Sequence, residues 1–339
     1  MTTPQGNALL ITGLPGVPGW NLYHYLVKHW KGPVIGVHPV ENWKAQVPGS
    51  VAIDAEDVES LEQLFTDYSF AAVVDASGNC ALRACECDPA LSHLLNCDFG
   101  LRLAHLARKH DSKLVRISSD LVFSGRDDHV GPYKENELVD PVTVYGKSIA
   151  EAELSIRIAH PDCWILRIPL PMGYTPGGHA GAIDWIEWRF RNGRPATLYF
   201  DERRSAIHKD DFGAVVLTIL ESGLVPPDLY HCGGPCSVSL YEIGQVINAV
   251  GGYDPDLLMG CLRQEAGPLP PRAGDVTIDS SKLLAYLPVG IIRPWPLDPL
   301  LVPDSRDWHY QIDRYLWGSG HQIDPLLVDG NYIHDVENL

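Results

Sequence analysis

Three glycines at three-residue spacing, Gly13, Gly16 and Gly19, carry the plainest chemistry in this sequence. Gly13 permits a tight turn, Gly16 lets a backbone approach a diphosphate, and Gly19 lets a helix pack closely on a strand. The flanks give the spacing its meaning. Residues 8–12 (ALLIT) form a short apolar run, residues 19–30 place Leu22, Tyr25, Leu26 and His29 on one helical face, and residues 33–37 (PVIGV) read as a second buried strand. Strand, glycine turn, helix and strand in that order predict a dinucleotide-binding unit, with Gly13, Gly16, Val17 and Gly19 against the phosphates at the helix N-terminus. Pro18 lies in this turn and has no N–H; it either stiffens the helix start or removes one phosphate donor. The second strand ends Val37-His38-Pro39, without the acid that usually holds the ribose hydroxyls of NAD. His38 or Lys44 then faces a 2′-phosphate, so NADP is expected, with NAD as the alternative.

The elements that must hold this turn follow from periodicity. Further buried strands are expected at 71–76, 113–119, 163–169 and 196–200, and helices at 58–68, 90–110, 145–160 and 211–222. Strands alternating with helices imply an α/β fold, a Rossmann doubly wound parallel sheet with a smaller C-terminal substrate lobe. Proline and glycine cluster at 169–178, 225–235 and 267–274. The expected division is an NAD(P)-binding domain over 1–168, a substrate lobe over 169–299 interwoven with late Rossmann elements, and an extension over 300–339. That extension carries Trp308, Tyr310, Tyr315, Trp317 and Tyr332, which either pack onto the body or meet a protein partner.

Composition narrows the partners. The chain has 339 residues and a formal net charge of −17. Nucleic-acid binding needs a basic footprint, and none is present overall. No run of 18 apolar residues or secretory leader is visible, so a cytoplasmic protein off the membrane is expected. The cysteine cluster Cys80, Cys85, Cys87 and Cys97 lacks the paired C-x2-C unit, and Cys232 and Cys236 beside His231 carry the same expectation of no metal. No metal is expected; redox or metal sensing through Cys80–Cys97 is a remote third role.

Three later segments bring in a family. SSDLVFSG (118–125), PYKENELVDPVTVYGKS (132–148) and DERRSAIHKDDFGAVV (201–216), together with the glycine turn, resemble the extended short-chain dehydrogenase/reductases, and within them the dTDP-4-dehydrorhamnose reductase branch. YHCGGPCSVSLYEIGQVI and PPRAGDVTIDSSKL are similar too, and the resemblance spans roughly residues 8–290. It implies that Tyr145 is the general acid or base, that Ser119 orients the substrate oxygen with Ser118 beside it, and that Asn96 supports the site. It also implies cofactor contacts from Ala76, Ser77 and Asp54. The family's lysine, four residues after the tyrosine, is missing: position 149 is isoleucine. Lys147 is no substitute, because i+2 on a helix points about 200° away from i.

Other residues carry two readings each. Asp120 contacts substrate or caps a loop; Arg203 and Arg204 hold a phosphate or lie in solvent; Asp54 touches adenine or caps a helix. Arg167 and His208 have no assigned role, and Tyr174 and His179 lie in a loop that could cover a substrate. The resemblance points to an NADP-linked enzyme acting on a nucleotide-sugar or similar polar carbonyl compound, as reductase or epimerase. Its alternative is a catalytically impaired binding or regulatory subunit, a role taken in the same branch by the regulatory subunit of methionine adenosyltransferase. A homodimer is common in this family.

Overall fold

The computed structural model describes residues 6–41, 45, 47–177, 181–268 and 270–311. Lys44, His179 and residues 312–339, on which expectations fall above, lie outside them. The N-terminal half runs β1 (Ala8–Thr12), α1 (Val17–His29), β2 (Val34–His38), β3 (Ser50–Ala52), α2 (Val58–Asp67), β4 (Phe70–Asp75), α3 (Leu82–Cys87), α4 (Pro89–His93), α5 (Phe99–Lys109), β5 (Lys113–Ser119), α6 (Val144–Ala159) and β6 (Trp164–Ile168). There follow β7 (Pro171–Met172), α7 (Ala182–Arg191), β8 (Ala196–Tyr199), β9 (Arg203–Arg204), β10 (Ile207–His208), α8 (Lys209–Ser222), β11 (Leu229–His231), β12 (Val238–Ser239), α9 (Leu240–Val250), β13 (Leu258–Cys261), α10 (Ser281–Leu284) and α11 (Trp308–Gln311).

Seven strands form one sheet in the order β11-β6-β5-β4-β1-β2-β3, and every pairing in it is parallel. A parallel sheet covered on both faces explains why β1 is buried at all five residues. Alternation assigns the faces. Leu9 and Ile11 pack with Leu22 and Leu26 of α1 and Phe212 and Val216 of α8. Leu10 and Val73 pack on the other side with Leu61, Leu103 and Ile156 of α2, α5 and α6. The edge strand β11 is absent from the sequence-based expectation, because its three residues are too short to show a period. A separate apolar cluster joins α7, α9, β8 and β13, and takes in Trp295, Leu301 and Trp308. The described start of the C-terminal extension therefore packs on α9, where Gln245 Nε2 donates to the Ser305 carbonyl at 2.9 Å.

One expected helix differs. Residues 90–110 are not a single α-helix: α4 and α5 flank a π-helical turn, Leu94–Asp98. The widened turn lets Phe99 N–H reach back to the Leu94 carbonyl. It also leaves the Asn96 carbonyl to accept a bond from Arg116 Nη2 at 2.7 Å. Among the described residues, no helix is long and apolar enough to cross a membrane.

Candidate active site

The glycine turn sits at the C-terminal end of β1, where open α/β sheets bind their ligands. Gly13 has φ +74°, and a Cβ there would lie 2.1 Å from the Ala76 carbonyl oxygen. A Cβ on Gly19 would lie 2.1 Å from the Gly13 carbonyl oxygen. Gly16 is different. It caps α1, and its Cβ would meet nothing nearer than 3.5 Å. Gly16→Ala is therefore expected to keep the wild-type melting temperature while weakening NADPH binding, because the added methyl enters the cleft. Gly13→Ala is expected to lose about 1–2 kcal/mol from its φ alone, with the clash in addition. Thermal melts with NADPH titrations check both; a Gly16→Ala protein that melts early contradicts the assignment. Pro18 is the second residue of α1, so the helix start offers the N–H groups of Val17 and Gly19 but none between them.

Beneath the turn lies a charged network. The Asp75 carboxylate accepts from Thr12 Oγ1 at 2.7 Å, Ser77 N–H at 3.0 Å and Ser77 Oγ at 2.5 Å. Its other oxygen pairs with Arg116 Nη1 at 2.6 Å, and both side chains are fully buried. Arg116 also donates to the Ser77 carbonyl at 3.1 Å. The loop after β4, with Ala76 and Ser77, is thus set by a salt bridge that the sequence reading missed. Its traces there are one charge in each of two apolar runs, Asp75 in AAVVDA and Arg116 in KLVRISS.

β5 and α6 bring the two hydroxyl groups together. Thr143 caps α6 by accepting from Gly146 N–H at 2.9 Å, which places Tyr145 in the first turn. The Ser119 hydroxyl and the Tyr145 phenol line the same cleft. Ser119 Oγ also donates to Asp120 Oδ1 at 3.2 Å and accepts from Leu121 N–H at 3.1 Å. Burial pushes the Tyr145 phenol above its ordinary value, while the nearby Ser119 hydroxyl and the Arg116 charge pull the other way. Lys147 is exposed. Ile149 is buried in an apolar cluster with Leu121, Val122 and Phe123. Asn96 has its side chain committed to Ser92 Oγ at 3.1 Å, Ser148 Oγ at 3.0 Å and Asn79 N–H at 2.6 Å.

The remaining expected site residues separate. Ser118 lines the cleft, but its hydroxyl donates to Glu153 Oε1 at 2.5 Å. Glu153 is held in turn by Arg167 at 2.8 and 2.7 Å, which gives Arg167 a structural task. Asp120 is fully buried and pairs with Arg204 Nε at 2.7 Å. Arg203 turns away from the cleft, binding Glu242 at 3.2 Å and Ser237 Oγ at 2.8 Å. His38 packs its Nδ1 against the Pro39 carbonyl at 2.8 Å, and Asp54 Oδ1 accepts from Val40 N–H at 2.9 Å. His208 is buried, and burial lowers its pKa.

α7 forms one wall of the cleft and is tied to the preceding loop by Asp184. Its Oδ2 accepts from Thr175 N–H at 2.9 Å and Thr175 Oγ1 at 2.7 Å. Burial raises the Asp184 pKa to about 6, against hydrogen bonds from Thr175 that lower it. A raised carboxyl pKa means the folded state binds the proton more tightly, so this contribution is full below the unfolded value near 3.8 and is lost as pH rises through about 6. Stability is expected to fall by about 3 kcal/mol from this group over that window. Asp184→Asn should remove that part of the slope in denaturant titrations run across the pH range.

A cleft of about 860 Å³ joins these parts. It is lined by Gly16, Val17, Pro18 and Ala76–Gly78, by Ser119 and Tyr145, and by Trp185, Arg189, Tyr199 and Arg272. Among the described residues, its charged lining residues are Arg83, Arg189, Arg204 and Arg272, against the one carboxylate of Glu202. Sequence reading missed all of these but Arg204, since they come from α3, α7 and separate loops and share no spacing. Cys80 lines the cleft and Cys85 is buried, and both are free thiols. His93, Cys97 and Asp98 form a His/Cys/Asp grouping among the described residues, with His93 lying between Asp98 at 3.3 Å and Glu151 at 3.2 Å.

A doubly wound parallel sheet with a glycine-turn cradle, and a cleft that adds a serine, a tyrosine and four arginines to it, defines a protein of the extended short-chain dehydrogenase/reductase class. Within that class, the chain belongs to the RmlD substrate binding domain family, whose model matches residues 7–295. It is 25% identical over 289 residues to methionine adenosyltransferase 2 subunit beta of Xenopus laevis, covering 84% of this chain and 83% of that one. It is 25% identical over 244 residues to dTDP-4-dehydrorhamnose reductase of Aggregatibacter actinomycetemcomitans, covering 70% and 77%. Among solved structures, dTDP-4-dehydrorhamnose reductase of Bacillus anthracis in complex with NADP superposes with TM-score 0.68 at 16% identity, covering 83% and 98%. The fold is therefore shared with proteins described as reductases and with one described as a subunit.

Proposed function

We propose that this chain is an NADP-linked reductase or epimerase of the nucleotide-sugar type. The observation that carries the reading is one cleft that holds the Gly16–Pro18 cradle, Ser119 and Tyr145 together with four arginines and, among the described residues, one carboxylate. In a chain of net charge −17, that concentration of guanidinium groups favours a ligand with a diphosphate. The residues fit a dinucleotide: Gly16 leaves open space for a diphosphate, and Val17 and Gly19 offer N–H donors. Bound there, the nicotinamide would supply the hydride. Tyr145, kept protonated by burial, would donate its phenolic proton to the substrate carbonyl oxygen, and Ser119 would orient that oxygen. A phenol held protonated suits carbonyl reduction better than proton abstraction from an alcohol. No acid at the end of β2 favours NADP, with NAD as the alternative. Eight free cysteines are in keeping with a reducing compartment such as the cytoplasm.

Ile149 favours a second reading, a binding or regulatory subunit. Without a cation at that position the ribose contact and the pull on the tyrosine pKa are both missing. Mixing the full chain with NADPH and dTDP-4-keto-6-deoxyglucose separates the two. Oxidation of NADPH dependent on the sugar supports the enzyme; binding of NADPH without oxidation supports the subunit. Failure to bind either NADPH or NADH would overturn both.

A further inference from the structure

The π turn has a second consequence. His93, the last residue of α4, and Cys97 and Asp98 of the turn hold their ligand atoms within 4.8 Å of one another. In a regular α-helix a residue five positions on lies about 140° around the axis. The π turn closes with an i→i+5 bond instead, which brings Asp98 under His93 and beside Cys97. His93 Nδ1 lies 3.3 Å from Asp98 Oδ2, and His93 Nε2 lies 3.2 Å from Glu151 Oε1 of α6. The first distance matches the edge of a zinc tetrahedron, about 3.3 Å between a nitrogen and an oxygen that each stand about 2.0–2.1 Å from the ion. The second matches the outer contact of a carboxylate–histidine–metal arrangement, in which the carboxylate accepts from the ring nitrogen that does not bind the ion. The His93 and Asp98 side chains are 40% and 42% exposed, and buried Cys97 forms the floor beneath them. An ion entering from solvent passes between the two open ligands and meets the sulfur last.

We infer that His93, Cys97 and Asp98 bind one zinc-class divalent cation, with Glu151 orienting the imidazole and the fourth position open to water. A thiolate and an imidazole beside a carboxylate select against magnesium and calcium, which take oxygen ligands. The thiolate and the Asp98 carboxylate balance the two charges of the ion. Burial and the charges of Glu151 and Asp98 raise the Cys97 pKa, and hydrogen bonds to Glu151 and Asp98 raise that of His93. The ion takes the place of the thiol proton and of any proton on His93 Nδ1; both leave to solvent, so binding weakens as pH falls. None of the four residues lines the cleft, so the site is independent of the nucleotide-sugar reading. Cysteine spacing gives no sign of it, because the pairing of residues 93 and 98 exists only through the π turn.

The test uses the full chain, stripped with a chelator, kept reduced with a phosphine and titrated with cobalt(II). Cobalt reports a thiolate ligand by a charge-transfer band in the near ultraviolet. One equivalent is expected to bind with that band, and zinc, the stronger binder, should displace it. Cys97→Ser should lose the band, whereas Cys80→Ser and Cys87→Ser, at the exposed cysteines nearest in sequence, should keep it. Glu151→Ala should keep the band and weaken cobalt binding about 10- to 100-fold, and His93→Ala, which removes a ligand, should weaken it further. A wild type without the band, a band that survives Cys97→Ser, or wild-type affinity in His93→Ala would each overturn the inference. Should Cys97→Ser fail to fold, His93→Ala decides the matter, because it changes a half-exposed side chain and leaves the core intact.

Discussion

Tyr145→Phe is expected to lower NADPH-dependent reduction of dTDP-4-keto-6-deoxyglucose by about 10²- to 10⁴-fold, the range general acid catalysis contributes. The substitution removes one hydroxyl and leaves the ring in place. Thr143 still caps α6, and the apolar cluster around Ile149 keeps its shape. NADPH affinity and melting temperature should therefore hold, and kcat and kcat/KM should fall together, as they do when an interaction made only in the transition state is lost. The pH profile gives a second readout. Burial holds the Tyr145 phenol above its ordinary value, so it stays protonated through neutral pH. Reduction should then be flat through neutrality, with no loss attributable to this group. Unchanged turnover in Tyr145→Phe would remove it from the mechanism.

Arg116→Met is expected to destabilise the fold by about 3–5 kcal/mol, since it leaves the buried Asp75 carboxylate without its counter-charge. The pair is 2.6 Å apart with both side chains out of water. Thr12 and Ser77 would still donate to Asp75, but neutral donors cannot replace a guanidinium. The Asn96 carbonyl also loses its donor, so the π turn loses an anchor. Denaturant titration reads the loss, and Asp75→Asn in the same chain should recover part of it, because the uncompensated charge is gone. A loss under about 1 kcal/mol would mean that the pair is not what holds the loop after β4. NADPH binding should weaken along with stability, because that loop carries Ala76 and Ser77 beside the cradle.

The sheet and the cradle were legible in the sequence because both have local signatures. Buried parallel strands appear as apolar runs, and a tight turn against a helix start requires glycine at fixed positions, as Gly13 and Gly19 require here. The absence of lysine at position 149 was equally legible, since a helix fixes which residue shares the tyrosine's face. The π turn at Leu94–Asp98 was not, because the groups that hold Asn96 within it, Arg116 and Ser148, lie on other elements. Nor could the sequence separate Arg203 from Arg204: neighbours in a strand point to opposite sides, and only tertiary packing sends one to Glu242 and the other to Asp120. The four arginines and the carboxylate of Glu202 that line the cleft belong to the same class. Local spacing governs backbone conformation, whereas the charge of a cleft sums over side chains far apart in the chain, so the sequence determined that a dinucleotide cradle exists and the tertiary structure alone decided what faces it.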